Sequence, residues 1–137
     1  MDALVENCVN LVHKQLYPLH LESFYVAALA HELEELGFTI ERESPVTLWY
    51  STSNENKKSL GTLRVDIVAH IGDQTYLIEV KHLNPTETNI DNVTRQLETY
   101  LRLKPCDGGF FVFFPKNTQK PQVGWISEKC TSPTEEM

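Results

Sequence analysis

No stretch of the sequence approaches the ~20 consecutive apolar residues that a membrane-spanning helix needs, so no membrane association is expected. Cysteine is scarce and oddly placed: Cys8, Cys106 and Cys130 are three, with no close pair. That pattern is neither a disulfide framework nor a zinc knuckle. The cysteines are read as reduced, with Cys8 in the core. Positive charge is also short. Twelve Lys and Arg face nineteen Asp and Glu, for a net charge of −7. A chain of that balance does not coat nucleic acid indiscriminately, because such binding comes from basic side chains that neutralise phosphates. Local phosphate binding at a metal-centred site remains open to it. The N-terminus (Met1-Asp2-Ala3-Leu4-Val5-Glu6) has no basic segment ahead of an apolar core. No secretory signal is therefore expected, and the expected location is intracellular, in cytoplasm or nucleus. The five histidines (His13, His20, His31, His70, His82) have no metal-ligand spacing. His70 and His82 are expected at the surface.

What is present is an ordinary globular composition, with 41% apolar and 23% charged residues in 137. That length suits one domain with its own core. Leu4, Cys8, Leu11, Val12 and Leu16 recur at helical spacing, and Tyr17-Pro18 ends that helix. A second helix is expected over 20–36, on Leu21, Tyr25, Ala28, Leu29, Leu33 and Leu36, with Gly37 as its cap. Residues 38–50 read as extended and 51–59 as a polar loop. Two β-branched runs, 62–71 and 75–81, flank Gly72-Asp73-Gln74 and form a hairpin signal. A third helix is expected over 90–103, stopped by Pro105. The apolar run Gly109-Phe110-Phe111-Val112-Phe113-Phe114-Pro115 suggests a strand buried on both faces. The order is α-α-β-β-β-α-β. It predicts an α/β domain over 1–126 with a central mixed four-stranded sheet flanked by helices, and a frayed tail over 127–137. The single crossover favours parallel pairing of the third and fourth strands.

The hairpin carries the informative residues. A two-residue turn at Gly72-Asp73 sets Ile71 against Gln74, and counting back sets Asp66 against Glu79. Lys81 shares the face of Glu79, because side chains alternate with period two. Like charges opposed on a sheet are destabilising. A divalent cation between them, of the hard-oxygen class of Mg²⁺ or Mn²⁺, removes that cost. Glu22 lies on the apolar side of the second helix, in its first turn. It reads either as a helix-dipole acid or as a third carboxylate aimed at the site. Gln96 and Tyr100, four apart, project from one helix face. They read either as a core tyrosine with a boundary glutamine or as part of the site. Trp49, Tyr50 and Trp125 could stack on bases, but core packing is the expected role of all three. Lys57 and Lys58 are read as a solvated loop tip. The apolar Val123-Gly124-Trp125-Ile126 is read as a docking point or as cover for the sheet.

Together these residues resemble the PD-(D/E)XK nuclease superfamily. Its signature is an Asp on one strand and Glu-X-Lys on the next, here Arg64-Val65-Asp66-Ile67-Val68 and Ile78-Glu79-Val80-Lys81. Gln96-Leu97-Glu98-Thr99-Tyr100 looks like the extra helix motif of RecB-type and λ-exonuclease-type members. Leu19-His20-Leu21-Glu22-Ser23-Phe24-Tyr25 is similar to the helix motif of the small GxxExxY family, with Leu19 where that family has its glycine. That departure touches the loop before Glu22 and removes no acid and no lysine. The resemblance implies a restriction-endonuclease-like core and Mg²⁺- or Mn²⁺-dependent hydrolysis of phosphodiester bonds, in DNA rather than RNA, to a 5′-phosphate and a 3′-hydroxyl. It implies catalytic roles for Glu22, Asp66, Glu79, Lys81, Gln96 and Tyr100. Asp66, Glu79 and the Val80 carbonyl are the implied metal ligands, with Glu22 joining directly or through water. Lys81 orients or helps deprotonate the attacking water and offsets phosphate charge, and Gln96 and Tyr100 hold the lysine, the water or the phosphate backbone. The acidity of the chain suggests a second copy or a protein partner that supplies DNA affinity. It also keeps open a weak or inactive nuclease fold that serves as an interaction module.

Overall fold

The computed structural model describes residues 1–126. Helices α1 (Asp2–Leu16) and α2 (Glu22–Glu35) lead into strands β1 (Thr39–Ser51), β2 (Lys57–Ile71) and β3 (Gln74–Lys81). Helix α3 (Glu87–Leu103) crosses to β4 (Gly108–Phe113), and β5 (Gln122–Ile126) follows. The expected tail, 127–137, lies outside the described residues.

The five strands form one sheet in chain order. Neighbours are antiparallel except β3 and β4, which run parallel because α3 carries the chain back across the sheet. Four strands were expected. The fifth is the short stretch around Val123–Ile126, which pairs antiparallel with β4 from Gly109↔Ile126 to Phe113↔Gln122. Five residues containing a glycine gave no alternation to read. Gly124 is there for space: a Cβ on it would stand 1.9 Å from Cζ of Phe111.

Helices α1 and α2 cover one face of the sheet and α3 the other. The first core joins Val5, Val9, Leu29 and Leu33 to Ile67, Ile78, Val80, Phe110 and Val112. The second joins Leu97, Tyr100 and Leu101 to Val65, Val68, Leu77, Phe111 and Phe113. Strand β4 thus feeds alternate side chains to both cores, and it is buried throughout, as the apolar run predicts. The α1 stripe is rotated from expectation. Val5, Cys8, Val9 and Val12 are buried, while Leu4 and Leu11 are exposed. On α2 the exposed ends are Leu21 and Leu36. The helix stops at Gly37, which has φ 97° and lets the Phe38 N–H reach the Leu33 carbonyl at 3.2 Å.

One irregularity positions the site. The pairing of β1 with β2 runs from Thr39↔His70 but skips Glu43, opposite Asp66, where Glu43 takes φ 51°. Beyond that point the inward side of the ribbon changes parity. Ile67 and Ala69 face α1 and α2, whereas Val65 and Leu63 face α3. At the same place the β2–β3 ladder ends, at Ile67↔Ile78. The sheet forks there, and Asp66 stands in the fork.

Candidate active site

The expected hairpin register holds, from Ile71↔Gln74 to Ile67↔Ile78. One step further the backbone ladder is replaced by side chains. The Asp66 N–H donates to Glu79 Oε1 at 3.1 Å, and the Val80 N–H donates to Asp66 Oδ2 at 2.8 Å. The two carboxylates therefore sit side by side between the parting strands. Each satisfies a backbone donor that the fork would otherwise leave unpaired. Lys81 Nζ lies 3.9 Å from Glu79 Oε2. The position of Lys81 is fixed by the β3–β4 pairing, since its carbonyl accepts the Phe114 N–H at 2.8 Å.

Burial makes this acid pair costly. Glu79 is 1% exposed. Desolvation, and then the charge of Asp66, push its carboxyl up to about 8. Asp66 is also raised by burial, against the pull of the Val80 N–H and Lys81. Without a cation, the pair holds a proton at neutral pH.

Helix α3 supports the fork from the second core. Gln96 Nε2 donates to the Tyr100 hydroxyl at 2.9 Å, and that hydroxyl donates to the Arg64 carbonyl at 3.2 Å. Burial raises the Tyr100 hydroxyl above its ordinary value, with the Glu79 and Asp66 charges adding to the effect, so it stays a donor. The pair Gln96 and Tyr100 thus grips β2 just before Asp66. Among the described residues it makes no hydrogen bond to Lys81 or to either acid.

Glu22 opens α2 and approaches from the other core. Its Oε1 accepts the His82 N–H at 2.8 Å, and its charge raises the Asp66 carboxyl. It stands in the first turn of α2, and its bond to His82 ties that helix to the end of β3.

His82 corrects the sequence reading. It is buried, not at the surface. Its Nδ1 lies 2.9 Å from the Phe114 carbonyl, its Nε2 lies 3.1 Å from His20 Nδ1, and its ring stacks on Tyr25 at 5.0 Å. A carbonyl only accepts, so Nδ1 carries the hydrogen there. Sequence spacing gave no signal for it, because His20 and His82 are 62 residues apart. His70 is half-buried, between Glu41 at 2.7 Å and Thr75 at 2.9 Å. Trp49 and Tyr50 are the second correction. Both are exposed; Trp125 is exposed on one side as well, and its other side packs against Phe110 with centroids 4.5 Å apart.

The donor set suits a hard divalent cation. Among the described residues no group of three or more His, Cys, Asp or Glu is gathered closely enough to cage a metal. The buried Glu79 and half-buried Asp66 carboxylates nevertheless match the way Mg²⁺ binds, through one or two carboxylates with waters retained.

A family model described as the PD-(D/E)XK nuclease superfamily matches residues 1–126. The chain belongs to that superfamily. The Asp66 and Glu-X-Lys strands of the superfamily signature are the two strands that part at the fork. Among solved structures, the chain is similar to the one titled "Crystal structure of SSO0001", with a TM-score of 0.60 and 17% identity. The similarity covers 96% of this chain and 68% of that one, and it bears on fold alone. The mixed sheet with helices on both faces is consistent with a restriction-endonuclease-like fold. No curated protein matches the chain. Among the described residues, no helix is long and apolar enough to cross a membrane.

Proposed function

We propose that the chain is a Mg²⁺- or Mn²⁺-dependent nuclease of the GxxExxY kind that hydrolyses phosphodiester bonds, in DNA in preference to RNA. The observation that carries the reading is the Asp66–Glu79 pair, with Glu79 buried and Lys81 beside it, at a point where the sheet opens. An acid pair that destabilises its own ionised form is matched to a cation. Asp66, Glu79 and the Val80 carbonyl hold the metal, and Glu22 joins directly or through water. Bound metal lowers the pKa of water and offsets charge on the phosphoryl oxygens. Lys81 orients the attacking water and helps to accept its proton, and its ammonium opposes the growing charge on phosphate. Gln96 and Tyr100 act on β2, keeping Asp66 at the angle that closes the site. The products are a 5′-phosphate and a 3′-hydroxyl.

The test is a cleavage panel of single-stranded, duplex, nicked and branched DNA and RNA, with Mg²⁺ or Mn²⁺, run beside Lys81→Ala. Cleavage by the native protein that falls at least about 100-fold in the variant supports the reading and names the substrate class. No cleavage by a folded native protein sinks it. The net charge of −7 then favours a nuclease fold that works as an interaction module with a protein partner or a second copy.

A further inference from the structure

We propose that the β1–β2 hairpin is a binding arm for unpaired nucleotides, rigid and separate from the acid pair. This deepens the nuclease reading, on which it rests for the identity of the ligand. Strand β3 pairs with β2 only over Ile67–Ile71. From Asp66 out to Lys57, β2 has β1 as its only strand neighbour among the described residues. The result is a two-stranded ribbon that leaves the body of the protein. Its outer part displays Trp49 at 54%, Tyr50 at 55% and Leu60 at 62% exposure. Ribbons of two strands are marginal by themselves, and this one carries large apolar side chains exposed on both of its faces.

The arrangement of those side chains selects the ligand. Tyr50 is paired with Lys58, so the two share a face. Trp49, paired with Ser59, lies on the other face, where Lys57 Nζ sits 5.9 Å from its ring centroid. Each face thus carries one aromatic ring and one lysine. Over residues 49–64 the charges are Lys57, Lys58 and Arg64 against Glu55, so 3 − 1 = +2, on a chain of net −7. Rings that stack on bases beside cations that meet phosphates are the elements of single-strand recognition. A duplex hides the faces of its bases and calls for more phosphate contacts than three cations provide. A second copy is disfavoured as occupant, because lysines on an open strand oppose edge-to-edge pairing.

The arm is also preformed. Its tip is closed by the Thr52 N–H to the Asn56 carbonyl at 2.9 Å, the Asn56 N–H to Thr52 Oγ1 at 3.1 Å, and the Glu55 N–H to the Thr52 carbonyl at 2.8 Å. A rigid tip loses little freedom on binding. Ser59, opposite Trp49, is seven residues from Asp66, or about 23 Å at strand spacing. A strand held by the arm therefore reaches the acid pair after about seven stacked nucleotides.

The test measures binding of a labelled 20-nucleotide oligothymidylate, and of a duplex of equal length, by the full chain in EDTA, where no cleavage occurs. The double variant Trp49→Ala/Tyr50→Ala should bind the single strand at least about 25-fold more weakly, about fivefold for each ring. Its duplex binding should change less than threefold. Lys57→Ala/Lys58→Ala should flatten the slope of log K against log salt by about 1.4. Circular dichroism verifies that both variants fold. Unchanged single-strand affinity overturns the arm. So does equal weakening on both probes, or a native dimer that the aromatic variant converts to monomer. Cleavage by all proteins in Mn²⁺, run in parallel, separates the two readings. Lys81-dependent cleavage with an aromatic variant that still binds single strands removes the arm and keeps the nuclease. Arm-dependent binding with no cleavage does the reverse.

Discussion

Glu79 concentrates most of what this site can do. Its carboxyl is pushed up to about 8 in the folded chain, against an ordinary value near 4.3 when unfolded. Between those pH values the folded state holds a proton that the unfolded state has lost. Metal-free stability must therefore fall as pH rises from about 4.5 to about 8, with a slope approaching ~1.4 kcal/mol per pH unit. Thermal melts in EDTA across that range should show the decline in the native protein and a flatter profile in Glu79→Gln. A native profile that rises with pH would mean that the pair is compensated by a group not identified here. The Asp66–Glu79 encounter was legible in the sequence, because a two-residue turn and strand alternation fix it. The sequence could not show that the backbone N–H groups of Asp66 and Val80 occupy one oxygen of each acid, since that requires the strands to part. His82 was misread for a related reason: its partners come from Phe114 and His20, on other elements.

Helix α3 and strand β5 show how elements hold the fork without entering it. Tyr100 bridges Gln96 and the Arg64 carbonyl. Tyr100→Phe leaves that carbonyl short of its donor and should cost about 1–2 kcal/mol in urea unfolding. If Asp66 depends on this grip, cleavage falls more than stability does, and activity unchanged at full folding would confine Tyr100 to packing. On the far side, Gly124→Ala drives a methyl into Phe111 and should destabilise by about 1–3 kcal/mol, read as a lower midpoint in the same titration. Helices and the β2–β3 hairpin were legible from periodicity and turn chemistry. The extension of β2 back to Lys57 was not, because Lys57-Lys58-Ser59-Leu60-Gly61 has the composition of a loop. Core packing is the sequence expectation for Trp49 and Tyr50 on β1, but the outer part of the ribbon has no core to offer them.

For the molecule as a whole, the proposed cation would compete with the proton for one place. Adding 10 mM Mg²⁺ or 1 mM Mn²⁺ at pH 8 should raise the melting temperature, because a ligand that binds only the folded state stabilises it by mass action. The rise should shrink toward pH 6, where Glu79 is protonated, and vanish in Asp66→Asn and Glu79→Gln. An equal rise in those variants would place the ion elsewhere. The acid balance of the chain fits this competition, with Lys81 as the cation beside the acid pair.

On the proposed reading, the hydrogen bonds that close the fork would also set the order of events in the life of the chain. A small zinc domain is unfolded until its ion arrives. Here the carboxylates are already engaged by the backbone, one proton standing in for the ion, so the polypeptide can complete its architecture in a metal-poor setting and be charged afterwards. Stripping with a chelator should then leave a dormant, intact protein that regains its ion on dilution into magnesium, a reversible off-state written into the sheet itself.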